Sequence, residues 1–359
     1  MKIIDWYIFK KFLGTFVYAI SLLILIVIIF DISENIEDFL KNRAPVKEII
    51  IDYYLYFIPY FINLFIFLFT FISVIFFTSK MAGNTEIIAI LSSGVSFNRM
   101  LRPYLFASVL LGVTSFYLGN FLIPRTNEIR REFKNKYIEN LSKDKERNIH
   151  VQIEKGVFVY VENYNNKLST GYKFTMEKYD GQQLTYKLAA ERIELDTTRK
   201  NGWMIFNYVE RKIDSLDETL VKGKRIDTVL NLQPTDLYKI KEDYEVMNFW
   251  ELRRHIDKEL LKGSKGVTTY QVEKHKRVAS PVAIIILTFI GVAVSSRKVR
   301  GGIGMHLGVG IGLTFSYIIF MQFSTVFATF GNLPPFLAAW IPNMVFAVLG
   351  IYLITKAPK

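Results

Sequence analysis

The chain has 359 residues, 51% of them hydrophobic, with mean hydropathy +0.22 and a formal net charge of +12. Soluble chains rarely average positive hydropathy, so a membrane protein is expected. The absence of Cys excludes disulfide scaffolds, thiolate zinc sites and Cys nucleophiles.

The averages hide two compositions. Residues 124–277 carry 31 Lys+Arg and 25 Asp+Glu, about 36% charged, against about 11% elsewhere. This pattern reads as a polar insert within a membrane domain. The expected division is 1–123 with three spans, 124–277 outside the membrane, and 278–359 with three more.

A bilayer core needs about 20 apolar helical residues. Phe12–Phe30 and Tyr53–Phe77 carry no charge at all, although Pro59 sits in the second. No small-x-small cleavage site follows the first, so it is expected to be a retained span and not a signal. The third, Leu105–Ile123, is expected to end at Pro124. Val278–Val294, Met305–Phe330 and Leu337–Ile354 complete six. Lys2, Lys10, Lys11, Lys80, Arg99, Arg102, Arg297, Lys298, Arg300, Lys356 and Lys359 give one side +9 after Asp5 and Glu86 are subtracted. The loop Asp31–Asp52 sums to −3. Positive charge marks the cytoplasmic side, which places both termini inside and the insert outside.

Between spans two and three, Asn84 is expected to cap a short helix. Glu86 stands in its first turn, Ile87, Ile88, Ile90 and Leu91 follow, and Gly94 stops it. It is too short to span and too apolar for a free loop. It is either a docking surface or an interfacial helix lying on its own bundle.

The insert shows strand alternation over His150–Glu154, Val157–Asn163, Tyr172–Tyr179, Leu184–Leu195, Trp203–Arg211 and Lys224–Leu232. Asp180-Gly181 and Asn201-Gly202 supply turns. An antiparallel sandwich or jelly roll is expected. Asn248 and Glu251 make a capping-box pair for a helix ending at Gly263, with Phe249, Leu252, Ile256 and Leu260 on one face. Residues 124–147 and 253–277 sum to +3 and +5, while 148–252 sum to −2. Those basic connections are either solvated stalks or receivers for an anionic lipid.

Several chemistries find no motif. There is no phosphate-binding loop, no H-E-x-x-H spacing among the four His and no G-x-S-x-G elbow. Acids are absent from the spans, which disfavours proton coupling. Gly304, Gly308 and Gly312 have small-xxx-small spacing and are expected to pack helices.

The segment Asn84-Thr85-Glu86-Ile87-Ile88-Ala89-Ile90-Leu91-Ser92-Ser93-Gly94-Val95-Ser96 resembles the coupling-helix region of lipopolysaccharide-export permeases, the paired F and G subunits of the Lpt ABC transporter. Glu273–Pro281 and Leu333–Asn343 look like that family's approaches to its fourth and sixth spans, and the ordered set covers nearly the whole chain. The resemblance implies a six-helix membrane domain with an inserted periplasmic jelly roll, in the inner membrane. It implies no catalytic role, no cofactor and no nucleic acid; a partner ATPase dimer would use ATP and Mg. Further implied partners are a second permease, a periplasmic bridge protein and a single-span accessory subunit. Glu86, Ile87, Ile90, Leu91 and Gly94 would couple to the ATPase, and spans one and five would gate laterally. In this family a Lys often stands near the outer end of span one. Here that stretch reads Asp31-Ile-Ser-Glu34-Asn-Ile-Glu37-Asp38, so lipid phosphate binding is expected at Lys41, Arg43, Arg125, Arg130, Arg131 and Arg277. The Phe30-Asp31 pattern leans towards the G-type subunit. Two other readings are a structural or lipid-binding β module on a membrane anchor, and a headgroup enzyme; the latter lacks a clustered site.

Overall fold

All six expected spans are helical in the computed structural model, which describes residues 2–138, 147–165, 168–199, 201–214, 217–237, 243–262, 266–297 and 302–357. The Gly263 stop and residues Lys298, Arg300 and Gly301 lie outside them. The described residues fall into two compact units, Met1–Glu139 with Tyr244–Leu252 and Thr268–Lys359, and Asn140–Asp243 with Arg253–Val267.

In the first unit, α1 (Ile3–Lys41) has 39 residues. At 1.5 Å per residue it is about 58 Å long, well beyond a bilayer core. Asp31–Lys41, read as loop, therefore continues the helix into the outer aqueous region. A short α2 (Val46–Glu48) leads through a π-helical stretch, Ile49–Leu55, into α3 (Tyr56–Gly83). Helix α4 is Glu86–Ser92, and α5 is Phe97–Tyr117. A second π-helical stretch, Leu118–Leu122, joins α5 to α6 (Ile123–Tyr137).

Pro124 thus does not end the third helix. Proline cannot donate to the carbonyl four residues back, and a widened turn before it lets the helix continue. The same device precedes Pro59, whose missing partner is Leu55 at the end of the first π-helical stretch.

Helix α3 is apolar on all sides and is the hub. Ile66, Val74, Phe77 and Met81 belong to a buried cluster with Ile8, Phe12, Phe16 and Ile20 of α1 and with Met100, Tyr104 and Leu111 of α5. Phe71 and Ile75 belong to another, with residues of α8 (Val267–Ser295), α9 (Gly302–Phe330) and α10 (Pro335–Thr355). One buried amide joins those last three helices. Tyr317 donates to Asn343 Oδ1 at 2.8 Å, and Asn343 Nδ2 donates to the Ala279 carbonyl at 2.8 Å.

The second unit holds one antiparallel sheet with strands β1 (Arg147–Glu154), β2 (Val157–Asn165), β3 (Thr170–Asp180), β4 (Gln183–Asp196), β5 (Gly202–Asp214) and β6 (Asp217–Val229). Neighbours in sequence are neighbours in the sheet. The antiparallel β expectation holds. The connectivity is an open meander, without the crossovers of a jelly roll among the described residues.

One face of the sheet buries Val159, Val161, Phe174, Met176, Leu188, Ile193, Trp203 and Ile205. Expected strand residues Leu230 and Leu232 instead leave β6 and fold over that face. Trp203 Nε1 donates to the Leu232 carbonyl at 2.9 Å, which satisfies the buried indole.

The capping box predicted at Asn248 is present. Its side chain accepts from the Trp250 and Glu251 amides at 3.0 Å, and its own amide donates to Glu251 at 2.9 Å. In the helix it starts, α7 (Phe249–Lys262), Leu252 and Ile256 are buried and Leu260 is exposed.

Candidate functional site

The cytoplasmic loop between α3 and α5 folds back on the bundle. Thr85, not Asn84, is the residue before α4, and it takes a left-handed φ of 62°. Asn84 closes α3 as its C-cap and donates its side-chain amide to Glu86 Oε1 at 3.1 Å, and no side chain caps α4. Gly94 stops the helix as expected. Its φ is +86°, a conformation that costs glycine little, and its amide returns to the Leu91 carbonyl at 3.0 Å.

The four aliphatic side chains of α4 divide into two sets. Ile87 is 1% exposed within the α1–α3–α5 cluster, and Ile90 and Leu91 pack against that cluster. This corrects the expectation that Ile87 meets an ATPase. Spacing of three and four residues places Ile87, Ile90 and Leu91 on one helix face, and that face holds α4 to its own bundle. Ile88 is 56% exposed, beside exposed Ala89 and Ser92. Sequence reasoning passed over Ile88, although its offset from the inward stripe is the signal.

Two polar links tie this loop to α1. Tyr7 donates its hydroxyl to Glu86 Oε2 at 3.2 Å. Arg99, in the first turn of α5, grips Asp5 with two parallel hydrogen bonds of 2.7 Å. Asp5 also accepts the Lys2 amide at 2.8 Å.

At the outer end of the first unit lies an aromatic knot of Phe39, Tyr53, Tyr54, Phe133 and Tyr137. Asp31 accepts the Tyr53 and Tyr54 hydroxyls at 3.2 and 2.9 Å. The guanidinium of Arg130 lies over the Tyr60 and Phe57 rings, 4.9 and 5.7 Å from their centroids. Arg130 makes no ion pair with a described residue, nor do the half-buried Arg131 or the exposed Lys41, Arg43 and Arg125.

Arg277 is different. Only 7% of its side chain is exposed; it pairs with Glu273 at 3.0 Å and donates to the Met247 and Tyr244 carbonyls at 2.8 and 2.6 Å. It is a structural clamp with its nitrogens committed, which corrects its place among the lipid-binding bases.

The glycine expectation is also redistributed. A Cβ on Gly304, Gly308 or Gly312 would meet nothing within 4 Å, so none of these packs a helix of its own chain. Gly310 does, because a Cβ there would collide with Ile75 and Phe71 of α3. The repeat in the sequence marks the outward face of α9, and the glycine between its members marks the inward one.

Among the described residues no group of three His, Asp or Glu is placed to hold a metal. A family model described as the lipopolysaccharide export system permease LptF/LptG matches residues 6–356. Comparison with curated proteins gives no match.

Proposed function

The chain belongs to the LptF/LptG family of lipopolysaccharide export permeases, and from that premise we propose that the exposed face of α4 is where a cytoplasmic ATPase docks. The family membership makes it the permease part of an ABC transporter, without catalytic chemistry of its own, in the inner membrane with its β unit in the periplasm. The match covers both subunit types and does not divide them.

The observation that carries the docking proposal is Ile88. Ile88 is a large apolar side chain 56% exposed on a short helix whose other large aliphatics, Ile87, Ile90 and Leu91, pack on the bundle. Glu86 supplies a carboxylate beside it, and Ile87, Ile90 and Leu91 give the helix a rigid seat. An ATPase dimer that closes on ATP would push α4 through that seat. A second permease of the family would pair along α1 and α9, where Gly304, Gly308 and Gly312 leave room for close approach. Lipopolysaccharide would meet Lys41, Arg43, Arg125, Arg130 and Arg131 at the outer end. Arg130, on its aromatic platform with donors free, is the best prepared for phosphate. The open strand edges of the β unit would carry lipid on to a periplasmic bridge by pairing with its strands; the single-span accessory subunit would meet the same complex.

The test is Ile88→Asp in the assembled transporter. The variant should insert normally and lose the co-purifying ATPase, while Ser92→Ala should keep it. Retention of stoichiometric ATPase by Ile88→Asp sinks the docking role.

A further inference from the structure

Helix α1 is held very unevenly along its length. Asp5, Ile8, Phe12, Phe16 and Ile20 are buried, one stripe confined to its cytoplasmic half. The next buried residue is Phe39, in the aromatic knot at the far end. Between them Leu22, Leu25, Ile26, Ile29 and Phe30 are exposed apolar side chains. The helix is therefore gripped along its cytoplasmic half, exposes much of Leu22–Phe30, and is held again at Asp31 and Phe39 by the aromatic knot.

The grip has a specific partner. A single turn of α1 holds both ends of the α4 loop: Tyr7 binds Glu86 where α4 starts, and Asp5 binds Arg99 just after the loop rejoins the bundle. The Asp5–Arg99 contact is bidentate and charge-assisted, the geometry in which an arginine–carboxylate pair is stiffest. With 10% of the Asp5 side chain and 27% of the Arg99 side chain exposed, water screens it only partly. Ile87, Phe97, Ile8 and Phe12 share one buried cluster around these links. Helices α3 and α5 are joined to α4 through the main chain. Helix α1 is not; it follows α4 through these polar links and through the packing of Ile8 and Phe12 in the cluster that holds Ile87 and Phe97.

We propose that Asp5, Tyr7 and Arg99 are positioning residues that clamp span one to the docking loop, so that displacement of α4 is delivered to the exposed stretch Leu22–Phe30 of α1. The clamp rests on the reading of α4 as the docking helix. It adds the path by which a cytoplasmic push reaches the outer half of the membrane, and it makes span one a lever with its handle in the cytoplasm.

The experiment uses the complete transporter reconstituted in lipid vesicles loaded with lipopolysaccharide, and measures bound ATPase, ATP hydrolysis and lipid released per ATP. Asp5→Asn with Tyr7→Phe should keep the ATPase bound and hydrolysis within about twofold, while lipid released per ATP falls about tenfold, the scale of a typical coupling between sites. Because the chain has no Cys of its own, Asp5→Cys with Arg99→Cys gives a clean second measurement. Release per ATP should be low in the open form and should recover when a short bifunctional maleimide joins the two thiols. A merely structural role would not respond to that cross-link. An unchanged ratio in the first variant, or no recovery in the joined form, overturns the clamp. Ile88→Asp separates the two proposals. If it keeps its ATPase, the docking reading fails; if it loses the ATPase while the Asp5 and Tyr7 variants transport normally, the clamp alone fails.

Discussion

The membrane bundle and the periplasmic sheet use opposite means to fix one structure. In the bundle nearly every face is apolar, and an apolar face does not distinguish lipid from helix. Register there comes from a few buried polar contacts and from shape: Asn343 between Tyr317 and Ala279, Asp5 on Arg99, and Gly310 against α3. In the sheet only one face is apolar, and water enforces which one. Its ion pairs, such as Lys173–Glu162, Lys187–Glu177 and Arg225–Asp227, lie partly in solvent, where such pairs contribute little. Polar contacts therefore specify the bundle, and apolar contacts specify the sheet.

The largest effect expected from this contrast is at Trp203. It is fully buried on the sheet's apolar face, near the start of β5, and its N–H is satisfied. Trp203→Ala should cost about 3–5 kcal/mol in the sheet. Limited proteolysis of the full chain in detergent should then cut within 147–237 and leave the six spans protected. Cleavage spread equally over the spans would show that the two units do not stand separately. Next in size is Gly310→Leu. The added side chain must displace Ile75 or Phe71 of α3, an overpacking cost of about 1–3 kcal/mol. It should lower the thermal midpoint of the isolated chain, while Gly308→Leu, facing open space, should not. Equal losses from the two would contradict the assignment of inward and outward faces.

Composition and period made much of this legible. Uncharged runs of about 20 residues identify spans because lipid admits little else. Six strands announced themselves through alternation and glycine turns. Connectivity was less legible, because a meander and a jelly roll share the same alternation and differ only in which strands meet. Pro124 misled for a local reason: proline normally ends a helix, and nothing in the sequence declares the π-helical turn that carries the chain past it. Within the site, the Ile87–Leu91 run fixed the place but not the facing. Four aliphatics in five positions leave the inward stripe undetermined until Ile8 and Phe12, about eighty positions away in sequence, pack against it. Arg277 shows the same limit, since its acceptors Tyr244 and Met247 lie about thirty positions away.

The smallest effects test the contrast most directly, by exchanging one polar contact in each region. Asn343→Leu removes an amide that bridges three helices, and a hydrogen bond of this kind within a membrane contributes about 0.6–2 kcal/mol. Glu177→Gln removes the charge from a carboxylate that Lys187 contacts at 2.8 Å and the Tyr179 hydroxyl at 3.0 Å. The ammonium of Lys187, with help from Tyr179, holds that carboxyl below the usual glutamate range. A depressed acid adds stability above its unfolded pKa and loses it as pH falls through the folded one. Glu177→Gln should therefore lower stability by about 0.2–1 kcal/mol at neutral pH. The difference should shrink towards zero in acid, where the wild-type carboxyl is itself protonated, and also in 1 M salt, which screens partly exposed charges over about 3 Å. Asn343→Leu has no charge to titrate or screen. Its deficit should stay constant from neutral pH to pH 4 and from low to high salt, when both variants are followed by thermal unfolding in the same detergent. A salt-sensitive Asn343 deficit, or a salt-insensitive Glu177 deficit as large as it, would erase the distinction between the two regions.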